Sequence, residues 1–410
     1  MARSDEAKDA RLAERLAATR RLTLDLAAPL SDADATIQPH PDASPAKWHL
    51  AHTTWFFETF VLRDHVPGYR RHDERWAYLF NSYYEGEGER HARPRRGMLS
   101  RPSLDEVRHW RHVVDEALQR ALPDLPAEAL TLVELGIHHE QQHQELFLTD
   151  ILATFAENPL EPAYGELDSS PAAAGEELRW IDGKVGLVEI GAADDSFAFD
   201  CERPRHQALL HPHRIANRSV TNGEWQLFIA DGGYRTPTLW LSDGWDWLSR
   251  EGISSPLYWL DDGSHFTLAG RREIDPAAPV AHVSHYEADA FARWAGARLP
   301  TETEWEAAFA PASSREGHQL DHAGAVLPRP GGGPFGDVWQ WTGSAYLSYP
   351  GFVPEAGTVG EYNGKFMSGQ MVLKGASCAT PRGHSRATYR NFFPPAARWQ
   401  FTGVRLAQDA

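Results

Sequence analysis

The chain has 410 residues, a formal net charge of −17 and two cysteines, Cys201 and Cys378. That length suits two domains with sizeable cores, and the acidic balance argues against nucleic acid as a partner, since a phosphate backbone repels such a surface. Two cysteines are too few for a disulfide scaffold, the polar start Met1-Ala2-Arg3-Ser4-Asp5-Glu6 lacks a signal-peptide core, and no run approaches the ~20 apolar residues of a membrane span, so a soluble cytoplasmic protein with reduced thiols and no membrane partner is expected.

Amphipathic periodicity predicts helices near 8–29, 46–63, 104–122 and 128–156, the third opened by the capping box Ser103-Leu104-Asp105-Glu106. Four such helices predict an up-and-down bundle over residues 1–157, whose interior is a usual place for a metal site. The second helix carries Trp48-His49-Leu50-Ala51-His52-Thr53-Thr54-Trp55. His52 shares a face with Trp48, Trp55 and Thr59, whereas His49 falls on the side expected to be solvated. The connection 64–102 is too long for passive linkage; it holds Phe80-Asn81-Ser82-Tyr83-Tyr84-Glu85-Gly86-Glu87-Gly88 and is expected to fold over something. Its arginine-rich part, Arg90 to Arg101, reads as a loop, either solvated or anion-binding.

The fourth helix contains His139-Glu140-Gln141-Gln142-His143. Residues four apart lie about 40° from each other around a helix, so the two imidazoles can grip one ion. They belong to a stripe of Leu132, Leu135, His139, Gln142, His143 and Leu146 that is expected to face the bundle interior. Glu140 falls roughly 110° from the centre of that stripe, toward the side rather than the core. With His52 as third ligand, three neutral imidazoles from two helices would leave coordination positions open, as a catalytic metal requires.

A linker of Pro, Ser, Ala and Gly composition is expected over 158–178. Beyond it, residues 179–410 are rich in Gly, Pro and Trp and predict an irregular α+β domain. Val185 to Ile190 and Met371 to Gly375 read as strands, Asn222 to Asp231 and His285 to Gly296 as helices.

Several motifs of this second half, Asp200-Cys201-Glu202-Arg203-Pro204-Arg205-His206, Val220-Thr221-Asn222-Gly223-Glu224-Trp225, Arg298-Leu299-Pro300-Thr301-Glu302-Thr303-Glu304-Trp305 and Gly336-Asp337-Val338-Trp339-Gln340-Trp341-Thr342, resemble formylglycine-generating enzymes, a C-type-lectin-like fold. The helical half resembles a DinB-type bundle. In this order they resemble the ergothioneine-biosynthesis sulfoxide synthases (EgtB) over nearly the whole chain. The resemblance implies an α+β chain made of a DinB-like four-helix bundle and a formylglycine-generating-enzyme-like domain. It also implies an iron(II) site of His52, His139 and His143, with dioxygen as co-substrate and hercynine, the trimethylated betaine of histidine, joined to a sulfur donor such as cysteine or γ-glutamylcysteine. The subgroup resembled has a tyrosine pair beside the metal. That likeness makes Tyr83 and Tyr84 the catalytic residues and Gln142, Asn391, Phe392 and Phe393 the substrate-binding ones.

Chemistry is consistent with each role. A phenol beside the metal can supply a proton or hydrogen atom while oxygen is reduced, steering reaction toward coupling rather than thiol oxidation. A quaternary ammonium suits aromatic faces such as Phe392 and Phe393, at roughly 0.5 to 2 kcal/mol each. Gln142 and Asn391 can hold the imidazole or carboxylate. Two departures stand out: an acidic Glu85-Gly86-Glu87-Gly88 follows the tyrosine pair, and Cys201 stands where asparagine is expected. The first opens a related branch, the selenoneine synthases, in which a selenosugar is the donor and Glu85 or Glu87 would accept its hydroxyl hydrogen bonds.

Other classes also fit parts of the pattern. His139-Glu140-Xaa-Xaa-His143 satisfies a zinc metallopeptidase motif with Glu140 as general base, and Glu161 is spaced for a third ligand but lies between prolines. A non-enzymatic recognition module is a further alternative, because lectin-like domains often serve binding.

Overall fold

The computed structural model describes residues 2–167, 175–193, 196–361 and 363–410, with side chains from Ala10 onward apart from 358 and 359. Part of the expected linker, 168–174, lies outside the described residues. The chain divides into two compact units, Met1–Glu166 with His322–Ala325, and Leu167–Asp321 with Val326–Ala410.

The first unit is helical: α1 (Ala2–Ala27), α2 (Ala46–Phe57), α3 (Trp76–Phe80), α4 (Leu104–Ala121) and α5 (Ala127–Ala156). A widened π-type turn, Glu58–Arg63, continues α2. Proline precedes both α2 and α5, at Pro45 and Pro126. At α4 the capping box forms as expected, Ser103 Oγ accepting from the Glu106 amide at 3.2 Å and Glu106 accepting from the Ser103 amide at 2.7 Å. Helix α2 packs against α1, α4 and α5, so all twelve of its residues are buried. A Cβ at Gly136 would come within 2.5 Å of the Phe57 ring, so glycine lets α5 approach α2 closely. Arg96, in the arginine-rich connection, is buried rather than solvated: its guanidinium lies 3.4 Å over the Trp48 ring and donates to Ser44 Oγ at 2.9 Å. After α5, Tyr164 turns back onto the helices and donates to the Leu26 carbonyl at 2.6 Å.

The second unit is built from short strands and helices: β1 (Trp180–Asp182), β2 (Gly186–Ile190), β3 (His206–Leu210), β4 (His213–Ala216), α6 (Asn222–Ala230), α7 (Ser242–Glu251), β5 (Ser264–Thr267), β6 (Gly270–Glu273), α8 (His285–Trp294), α9 (Glu302–Phe309), β7 (Trp339–Ala345), β8 (Met371–Gly375), β9 (Asn391–Phe393), β10 (Thr402–Val404) and β11 (Ala407–Asp409). One sheet has the order β10-β7-β8-β9, with β10 parallel to β7 and the other neighbours antiparallel. A second runs β1-β4-β11, and β2–β3 and β5–β6 are separate hairpins. Fully buried Trp305, Trp339 and Trp341 anchor the core; the Trp305 indole N–H donates to Gln340 Oε1 at 2.6 Å and that of Trp341 to the Val283 carbonyl at 2.9 Å. Burying these large rings costs no unmet hydrogen bond. With a helical unit and a mixed one, the class is α+β.

Three helices, α3, α7 and α9, lie outside the expected set. For α9 the signal was present: Thr301 and Glu304 form a capping box, as Thr221–Glu224 and Ser284–Glu287 do for α6 and α8. At only eight residues, α9 is too short to show periodicity.

Candidate metal centre

Helices α2 and α5 bring His52, His139 and His143 together, with one ligand nitrogen of each within 4.8 Å of the others. The ring centroids form a near-equilateral triangle of 4.9, 4.8 and 4.7 Å. Among the described residues this is the group of three His, Cys, Asp or Glu side chains arranged to hold an ion. His52 and His139 are buried and His143 half-buried. Burial pushes His52 and His143 well below the ordinary histidine range, reinforced by repulsion from the neighbouring rings, and pushes His139 to about 3. All three imidazoles are therefore neutral at pH 7, the form that binds metal.

Each ring is aimed by its surroundings. His52 Nδ1 donates to the Phe80 carbonyl at 2.6 Å, which leaves Nε2 buried with no hydrogen-bond partner and facing the cluster as a lone pair. The His52 ring is held between Trp48 and Trp55, stacked at 4.6 and 5.5 Å. An orphaned ring nitrogen beside two further neutral imidazoles fits a divalent transition metal of the zinc–iron class.

The carbonyl that orients His52 closes α3 and opens the Asn81-Ser82-Tyr83-Tyr84 turn. Asn81 clamps that turn, its amide donating to the Tyr84 carbonyl at 2.9 Å and its Oδ1 accepting from the Tyr84 N–H at 3.1 Å. The two tyrosines are inequivalent. Tyr84 is fully buried against Trp55 and Phe60 at 5.5 and 5.3 Å, while Tyr83 is half-buried and stacks on Tyr84 at 4.7 Å.

Three expectations about helix faces are corrected. His49, placed on the solvated side, is buried and hydrogen-bonds His143 at 2.9 Å and Asp150 at 3.0 Å. Glu140, placed toward the side, is fully buried; it pairs with Arg111, with Arg20 at 2.9 Å and with the Thr23 hydroxyl at 2.5 Å. Burial works to raise its pKa, but the two guanidiniums and the hydroxyl hold it down to about 2. The stripe expected to face the bundle interior is only partly enclosed: Leu132, Leu135, Gln142 and Leu146 are half-buried, and the most enclosed face of α5 runs through Gly136, Ile137, Glu140 and Gln144. A carboxylate committed to two arginines cannot serve as the general base of a metallopeptidase, and Glu161 is not part of the metal-competent cluster.

The expected substrate contacts fall in both units. Gln142 is on α5 beside His143. Asn391, Phe392 and Phe393 form β9, at the edge of the four-stranded sheet of the second unit. Phe392 stacks on Tyr346 at 4.1 Å and packs near Phe366 at 5.9 Å, and Phe393 meets Trp399 edge-on at 6.1 Å. The acidic loop is already engaged: Glu87 pairs with Arg63 at 2.6 Å and Arg71 at 3.8 Å, and Glu85 with Arg90 at 2.5 Å. Cys201 and Cys378 are both buried in the second unit; burial raises Cys201 to about 12 and keeps it protonated.

Residues 15–147 match the DinB superfamily and residues 165–324 the sulfatase-modifying factor enzyme 1-like domain. The chain is 36% identical to the hercynine oxygenase of Mycobacterium tuberculosis, over 97% of this chain and 98% of that one. It is 33% identical to the hercynine oxygenase of Mycolicibacterium thermoresistibile, over 98% and 95% of the two chains. A formylglycine-generating enzyme of Streptomyces coelicolor is 26% identical over 63% of this chain and 97% of its own length. Matched nearly end to end by such relatives, the chain is an oxidoreductase that belongs to the hercynine oxygenase family, the EgtB-type sulfoxide synthases.

Proposed function

We propose that this protein is a cytoplasmic non-haem iron(II) enzyme that uses dioxygen to join the imidazole ring of hercynine to a sulfur donor such as cysteine or γ-glutamylcysteine, without a nucleic-acid or membrane partner. The observation that carries this reading is the convergence of three neutral imidazoles within 4.8 Å. The reaction balances as imidazole C–H plus thiol S–H plus O2 giving a C–S(=O) sulfoxide and one water. Four electrons leave the substrates, two in forming the carbon–sulfur bond and two in oxidising sulfur.

Bound iron(II) would supply open coordination positions for oxygen and the sulfur donor. The protein's part is to hold and orient. His52, His139 and His143 provide the neutral face, and the Phe80 carbonyl sets the His52 tautomer. Tyr83 is assigned the proton-donating role, because Tyr84 is committed to packing among Trp55 and Phe60. Phe392 and Phe393 are assigned to the trimethylammonium group, and Gln142 and Asn391 to its polar groups. The acidic loop does not by itself select a selenosugar, since arginines already compensate Glu85 and Glu87.

The test is aerobic incubation of iron-loaded protein with hercynine and, separately, cysteine, γ-glutamylcysteine and a selenosugar, with products read by mass. A sulfoxide adduct with a thiol is the expected result. Coupling with the selenosugar alone would reassign the donor, and coupling with none would overturn the reading.

A further inference from the structure

We infer that Asp150 and His49 are positioning residues that fix the tautomer and aim of His143, an inference that rests on the three-histidine metal reading. The chain of contacts lies within the first unit. Asp150 Oδ2 accepts the Ser44 backbone N–H at 2.8 Å, and His49 Nε2 lies 3.0 Å from the same oxygen. His49 Nδ1 lies 2.9 Å from His143 Nδ1. All three side chains of this relay sit on α2 and α5, and Asp150 and His49 are buried.

The partners set the direction of each hydrogen bond. A carboxylate oxygen that already accepts a backbone N–H is an acceptor, so His49 donates through Nε2–H. The polarity that leaves His143 able to bind a metal has His49 presenting Nδ1 as a lone pair, with its Nε2–H on Asp150. His143 must therefore donate through Nδ1–H, and its Nε2 keeps the lone pair a metal needs. With the polarity reversed, a proton would occupy His143 Nε2 and block that position. His52 reaches the same end by a simpler route, its Nδ1–H on the Phe80 carbonyl. Asp150 follows His143 by seven residues, two helical turns on the same face of α5, which places it beside the ring of His49.

The experiment uses the full chain. In metal-free protein labelled with 15N at histidine, with the His143 signals assigned by their loss in His143→Ala, His143 should appear as the Nδ1–H tautomer. An Nε2–H tautomer overturns the inference without touching the metal reading. Cobalt(II) is then titrated, followed by its visible absorption and by calorimetry. Asp150→Leu and His49→Phe, similar in branching and ring shape, should weaken cobalt binding about 10- to 100-fold, whereas Asp150→Asn keeps an oxygen acceptor for Ser44 and His49 and should stay near wild type. Wild-type affinity in Asp150→Leu, or equal loss in Asp150→Asn and Asp150→Leu, overturns the hydrogen-bonded relay. If either variant fails to fold, the wild-type tautomer still decides. Absence of cobalt binding in the wild type would count against the three-histidine reading alone.

Discussion

Arg20 on α1 and Glu140 on α5 form a buried ion pair at 2.9 Å, so the glutamate inside the His-Glu-Xaa-Xaa-His spacing ties the bundle together and does not face the metal cluster. Arg111 on α4 completes the junction, and Asp115, 2.5 Å from Arg20 Nε, supplies the second anion. Removing one partner leaves an uncompensated buried charge. Glu140→Gln should therefore destabilise the protein by about 3 to 5 kcal/mol in urea unfolding while the folded fraction still binds metal. A metallopeptidase base would show the opposite: intact stability with lost hydrolysis.

His52→Ala, His139→Ala and His143→Ala should each abolish stoichiometric iron(II) and cobalt(II) binding, measured by calorimetry, because two imidazoles leave the ion to water. A variant that binds with wild-type affinity would remove that residue from the ligand set.

Tyr83 and Tyr84 should separate in their phenotypes. Tyr83→Phe is expected to keep stability within about 1 kcal/mol while coupled product falls about 100-fold or more and thiol oxidation rises, as loss of a positioned acid predicts. Tyr84→Ala empties a buried aromatic site and should cost about 3 to 5 kcal/mol of stability. Thermal unfolding and product mass together distinguish the two roles.

The aromatic pair on β9 gives a binding prediction. Phe393→Ala should weaken hercynine binding about 2- to 30-fold, the range of one cation–π contact, and should leave binding of histidine, which lacks the quaternary ammonium, less affected. Equal effects on both ligands in a calorimetric titration would remove Phe393 from the ammonium site.

Acid stability follows from the second unit. His282 is buried between Tyr258 and Phe401, and burial, with repulsion from His265, lowers its pKa to about 3; burial lowers His265 and His285 to about 4. Below 6.5 the unfolded chain takes up protons that the folded state refuses, so stability falls as pH drops from about 6.5 toward 4 and then 3. His282→Asn tolerates the positive φ of that position and should reduce the loss between pH 7.5 and 5.0 by about 2 kcal/mol, read from urea midpoints.

Much of this was legible from local pattern. The bounds of α2, α4 and α5 lie close to those the apolar pattern marks, α4 opening on its capping box, and β8 spans the very residues its apolar run marks. His139 and His143 could be named as a pair because ligand spacing on a helix is a local property, and His52 as a candidate because of the face it shares with Trp48 and Trp55. His49 and Asp150 could not, although His49 lies one turn from His52, because a helical wheel assumes one wet face. Helix α2 has none.

The order of residues thus determined the long helices of the first unit and which histidines share a helix face, since those depend on neighbours within a few positions. Only the packing of α1, α4 and α5 around α2 decided that Glu140 is a structural anion, that His49 connects Asp150 to His143 and that Tyr84 is core while Tyr83 keeps an exposed edge. Burial and charge compensation are set by residues dozens of positions away, and those partners exist only once the helices have met.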